Sequence, residues 1–156
     1  MGGTSRIDLR SKGNRAECAR RSATGERDWR GGRWADDRHH RACLDLLETH
    51  PGPLLVPTLV VTEVAYLVAN RLGPDAQARL LGDLASGNLI AESPAPQDWL
   101  RMAELVSRYR DLPLGTVDAS VVAACERLSI TEVATLDHRH FMIVRPTHVE
   151  AFSLFP

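Results

Sequence analysis

From residue 36 onward, apolar positions recur in a pattern that alternates short hydrophobic runs with longer amphipathic stretches. "DDRHHRACLDLLETH" offers Asp36 or Asp37 as a helix N-cap, followed by Ala42, Cys43, Leu46 and Leu47 at helical spacing, and the "PGP" at 51 to 53 ends it. "LLVPT" (54 to 58) reads as a short buried strand, and "LVVTEVAYLVANRLG" as a helix that stops at Gly73. "PDAQARLLGDLASG" has Pro74 in its first turn, Leu80, Leu81 and Leu84 on one face, and Gly87 at its end. Then "NLIAE" predicts a strand, "PQDWLRMAELVSRYRD" an amphipathic helix, and "TVDASVVAACERLS" a helix apolar on nearly every side. "EVATLD" predicts a strand that delivers its last residue to a loop, with "RHFMIV" and "EAFSLF" as short edge elements. Strands alternating with helices predict an α/β fold with a parallel sheet.

The first 35 residues break this pattern. They hold six of the chain's 11 glycines and, as large aliphatic residues, only Ile7 and Leu9. Such a stretch cannot offset the entropy of its own ordering by burial, so a disordered leader is expected over 1–35 and a folded domain over 36–156. Charge divides in the same place. Residues 1–41 carry eleven Lys and Arg against six Asp and Glu, whereas the whole chain has a formal net charge of −1. A basic arm of that kind could also neutralise RNA phosphates. Three widely spaced cysteines, Cys18, Cys43 and Cys125, fit neither a disulfide framework nor a cysteine zinc site, and a reducing cytoplasm is expected. No apolar run reaches the length of a membrane span, and no secretory h-region is present.

Three acids interrupt the apolar pattern. Glu63 has Leu59, Tyr66 and Leu67 as its helical neighbours, and Asp118 shares a helix face with Val121, Val122 and Cys125. Asp137 ends the last strong strand, at the carboxyl edge where open α/β sheets bind ligands. Burying lone carboxylates is costly, whereas Mg²⁺ or Mn²⁺ takes several oxygen ligands and offsets their mutual repulsion. Asp118 could instead serve the helix dipole behind a Thr116 cap, and Asp137 could cap a short turn. Glu63, in mid-helix, has no such alternative.

"PTLVVTEVAYLV", "LPLGTVDASVVAACERL" and "VATLDHRHF", in this order, resemble the PIN domain and, within it, the VapC-type toxins of bacterial toxin–antitoxin pairs; "DDRHHRACLDLLE" resembles the helix after that family's first strand. The resemblance covers about residues 36 to 156 and implies a three-layer α/β/α sandwich with a parallel central sheet. It also implies that Glu63, Asp118 and Asp137, matching the family's second, third and fourth acids, hold Mg²⁺ or Mn²⁺ for endoribonuclease chemistry. Thr116 and Thr135 are then candidates to orient these acids, and Arg139 to meet RNA phosphate. The implied partners are RNA, a VapB-like antitoxin and a second copy of the chain.

The family's first acid, which ordinarily ends a central apolar strand, has no counterpart. Counting back from "DDRHH" reaches Gly25 in "SATGERDW"; Asp8 stands at the wrong distance and Asp28 lacks a strand around it. Loss of that strand should impair both sheet and catalysis, and the abrupt change in composition suggests, as a hypothesis, a shifted or overextended reading frame over residues 1–35. An inactive PIN-like scaffold that binds an antitoxin is therefore the alternative to an enzyme. His39, His40, His138 and His140 lack the i, i+4 spacing of a helical zinc pair, no Gly-rich phosphate loop is present, and no strand-end Asp-x-Asp supports a phosphatase of the haloacid dehalogenase type.

Overall fold

The computed structural model describes residues 39–112 and 114–156, and residues 41–156 form one compact unit. The expectations placed on residues 1–35, and the proposed caps Asp36 and Asp37, lie outside the described residues. In chain order the elements are α1 (His40–Thr49), β1 (Leu54–Pro57), α2 (Thr58–Leu72), α3 (Pro74–Ser86), β2 (Leu89–Glu92), α4 (Pro96–Arg108), α5 (Thr116–Leu128), β3 (Glu132–Ala134), α6 (His138–Ile143) and β4 (Ser153–Phe155). Gly73 and Gly87 end helices at φ 83° and 78°, a region that costs any residue with a Cβ and leaves glycine free. No described helix is long and apolar enough to cross a membrane.

Two boundaries differ from the sequence expectation. β3 stops at Ala134, so Asp137 lies three residues beyond the strand; "RHFMIV" is helical rather than an edge strand. The reason is local. Asp137 caps α6 by accepting a hydrogen bond from the Arg139 backbone N–H at 3.3 Å, and the two buried anchors Phe141 and Val144 stand three apart, a helical spacing.

Strand pairing among the described residues is parallel, with Leu54 beside Leu89 in β1–β2 and Glu132 beside Ser153 in β3–β4. The described strands nevertheless form two separate two-stranded sheets rather than one. The core follows this division. Met102, Leu105, Leu114, Ala119, Val122, Ala123, Cys125, Val133, Phe141, Val144 and Phe152 make one cluster from α4, α5, β3, α6 and the C-terminal segment, sealed by an edge-on contact of Phe141 and Phe152. On the other half, α2 buries none of its residues, and Leu55, Tyr66, Leu67 and Ile90 are exposed. Parallel strands are normally covered on both faces, so among the described residues this half is short of cover.

α5 buries Ala119, Ser120 and Val122–Cys125 almost without a break, as its all-round apolar sequence predicts. Burial, reinforced by Glu126, pushes the Cys125 thiol up to about 11. Since only the thiolate is nucleophilic, roughly a thousandth of Cys125 is reactive at pH 8. Ellman's reagent at pH 8, with the labelled cysteine assigned by mass spectrometry, is expected to leave Cys125 unmodified in the folded chain and to modify it fully in denaturant. Rapid native labelling would contradict the burial.

Candidate functional site

Asp118 stands in the first turn of α5, after the N-cap Gly115 and Thr116. Its Oδ2 lies 2.8 Å from His140 Nδ1, with side chains 31% and 18% exposed. An ionised carboxylate only accepts, so Nδ1 carries the proton and donates. Two anchored elements create this contact: the buried run of α5 fixes one residue, and Phe141 and Val144 fix α6 around the other. It joins residues 22 apart in sequence, which no local pattern brings together.

The Asp137 loop is held by its neighbours. Thr135 N–H donates to Phe155 O at 2.7 Å, the Thr135 hydroxyl accepts from Asp137 N–H at 3.1 Å, and His138 Nε2 donates to Thr135 O at 3.0 Å. Thr135 therefore orients the backbone under Asp137. Thr116, by contrast, is exposed, and no side chain caps α5, so the expected contact of Thr116 with an acid is absent among the described residues.

Arg139 grips Asp137 with two hydrogen bonds, Nε to Oδ1 at 3.1 Å and Nη2 to Oδ2 at 3.2 Å. The guanidinium holds the Asp137 carboxyl below its ordinary range, against an opposing effect of desolvation. With the Arg139 side chain 83% exposed, solvent screens this pair.

Glu63 is exposed on α2, contrary to the inward placement expected from its apolar neighbours; Tyr66, one of them, is itself 69% exposed. The stripe is apolar, but only its Leu59 end packs against the core among the described residues, while Tyr66 and Leu67 stay exposed. α2 does pack against α5, so the helices of Glu63 and Asp118 adjoin. Chemically, three carboxylates suit Mg²⁺ or Mn²⁺. Geometrically, the described residues contain no group of three or more His, Cys, Asp or Glu side chains placed to hold a metal ion. The structure thus assembles the Asp118–His140 pair and the Asp137–Arg139 pair, and does not gather the three acids around one cation.

The PIN domain family model matches residues 33–144, about seven-tenths of the chain and nearly all of the compact unit. The chain belongs to the PIN domain family. Ribonuclease VapC26 of Mycobacterium tuberculosis (strain ATCC 25618 / H37Rv) is 32% identical over 122 residues, spanning 78% of this chain and 90% of that relative. Among solved structures, Mycobacterium tuberculosis VapC20, a sarcin–ricin loop cleaving toxin, matches with a TM-score of 0.61 at 20% identity, covering 68% of this chain and 82% of that one. That likeness shows the fold, the α/β/α arrangement of the PIN domain.

Within this PIN domain, two polar residues carry little signal in the sequence. His140 fits no zinc spacing; only recognition of Asp137 as an N-cap places it one turn into a helix. Asp98 is more deeply buried than any of the three expected acids, at 4% exposure. Its carboxylate accepts from the Ala95 N–H at 2.9 Å and from Arg127 Nε at 2.8 Å, so it closes the start of α4 and ties it to α5. Its signal is "APQD", an acid at the third position of a helix opened by proline.

Proposed function

We propose that this chain is a VapC-like endoribonuclease toxin that hydrolyses RNA phosphodiester bonds, and that in this form it cleaves slowly. The observation that carries the reading is the Asp118–His140 contact, which sets a half-exposed carboxylate beside the loop bearing Asp137. Mg²⁺ or Mn²⁺ belongs to the proposal through the oxygen donors of Glu63, Asp118 and Asp137. His140 holds Asp118 in one orientation, Thr135 sets the Asp137 turn, and Arg139 is exposed to meet a phosphate. Slow cleavage follows from the scattered acids. The natural partners in this reading are a VapB-like antitoxin and a second copy of the chain, in the cytoplasm.

With Mg²⁺ and a looped RNA, the purified chain is expected to cleave at no more than about a tenth of the rate of Ribonuclease VapC26, the scale of loss when a metal site's supporting groups are missing. Asp118→Asn should bring the remainder down to the level seen with EDTA. Cleavage at the relative's rate would refute the slow form, and full activity in Asp118→Asn would remove Asp118 from the site.

The exposed apolar residues Tyr66, Leu67, Leu72 and Leu81 on α2 and α3 favour one other reading, an inactive scaffold that binds an antitoxin helix. A Mg²⁺-dependent rise in melting temperature would count against it, since a pure binding module gains nothing from the ion.

A further inference from the structure

Beyond the Asp137 end of α6, a second cluster of polar groups gathers at its far end. Tyr109, just after α4, packs its ring against the core and accepts a hydrogen bond through its hydroxyl from the Arg145 backbone N–H at 3.0 Å. The Arg108 guanidinium carbon lies 5.6 Å from the Tyr109 ring centroid. Arg145 Nη1 donates to Met142 O at 2.8 Å, which folds that side chain over the end of α6. Arg108, Arg110 and Arg145 are all exposed, and the turn contributes one opposing acid, Asp111. Unlike Arg101 and Arg127, which are committed to carboxylates, these three have no acidic partner among the described residues.

We propose that Arg108, Arg110 and Arg145 form a contact surface for the phosphate backbone of single-stranded or looped RNA, which runs along α6 from Asp137 toward Tyr109. This deepens, and rests on, the reading of the chain as a ribonuclease. Six helical residues span about 9 Å, the rise of roughly three nucleotides of one strand. A strand cut near Asp137 would therefore meet Arg139 first and the arginine cluster some three nucleotides further on. Guanidinium groups held by a ring or by carbonyls lose little freedom on meeting a phosphate, and their planar fork suits its oxygens. The Met142 carbonyl draws on part of the Arg145 charge, so Arg108 and Arg110 carry most of the attraction.

The test is binding of a fluorescein-labelled RNA hairpin, followed by anisotropy in EDTA so that cleavage plays no part. The double variant Arg108→Gln/Arg110→Gln is expected to bind about five- to tenfold more weakly near 0.1 M salt. The slope of log affinity against log salt should shrink by about 1.4, or about 0.7 for each single-strand phosphate that is no longer neutralised. Arg79→Gln, a change at an exposed arginine of α3, should leave both unchanged. An unaltered slope in the double variant, an equal weakening in Arg79→Gln, or no salt-dependent RNA binding by the parent chain overturns the surface; selective loss of an acidic peptide's binding with RNA binding intact would do so too. If the parent binds RNA as expected and cleaves none, the ribonuclease reading fails and the surface stands.

Discussion

Arg127→Met is expected to lower folding stability by about 3–5 kcal/mol, the scale on which removing one partner of a buried ion pair acts. The Arg127 guanidinium bridges two carboxylates, with Nη2 2.8 Å from Glu92 Oε1 and Nε 2.8 Å from Asp98 Oδ2. Both acids hold its proton more firmly than usual, Glu92 foremost. Asp98 is the costly end. Its side chain is only 5% exposed, and without Arg127 its charge keeps a single backbone donor, Ala95 N–H. The bridge also joins β2, α4 and α5, so its removal loosens three elements together. For a unit of this size the melting temperature should fall by roughly 10–20 °C. Adding Asp98→Asn to Arg127→Met should recover part of the stability, because the buried charge is then gone. A decrease under about 1 kcal/mol in urea titration would show that Asp98 reaches water. The same reasoning predicts almost nothing from breaking Asp137–Arg139, whose groups are largely in solvent.

Much of the fold is legible in the sequence because its signals are local. Pro74 and Gly87 bracket α3, Gly73 ends α2, and the unbroken apolar run of α5 marks the helix that the core surrounds. The limits of β3 and the helicity of "RHFMIV" are harder to read, since a six-residue apolar segment fits a strand or a helix until its cap is recognised. At the site, the sequence marks out Asp118 and Asp137 as unusual acids, but not their partners. His140 reaches Asp118 only because α5 and α6 share one core, a relation no periodicity encodes. Glu63 fails for the opposite reason. Its apolar neighbours correctly predict a helix that needs cover, and the described residues cover only part of it, leaving no residue of α2 fully buried.

That deficit sets the second large expectation: replacing residues 1–35 with a short apolar strand segment ending in Asp should raise Mg²⁺-dependent RNA cleavage about a hundredfold, the scale of restoring one missing charge-stabilising group. Among the described residues the two sheets, β1–β2 and β3–β4, are each parallel and each contain two strands. The PIN-family resemblance implies a central apolar strand ending in an acid, and no such strand is written into "SATGERDW". A strand paired into this fold would cover side chains that now face solvent, with Leu55 37% and Ile90 39% exposed. Covering an aliphatic side chain fully is worth about 1.5–3 kcal/mol, so several half-covered ones should add a few kcal/mol and a rise in melting temperature of more than about 5 °C. Stability and chemistry can then be separated within the chimera. Changing the acid at the end of the grafted strand to Asn should keep the thermal gain and forfeit the catalytic one. If both gains survive that change, the acid is not part of the site; if the chimera folds with neither gain, the two half-sheets were never short of a strand.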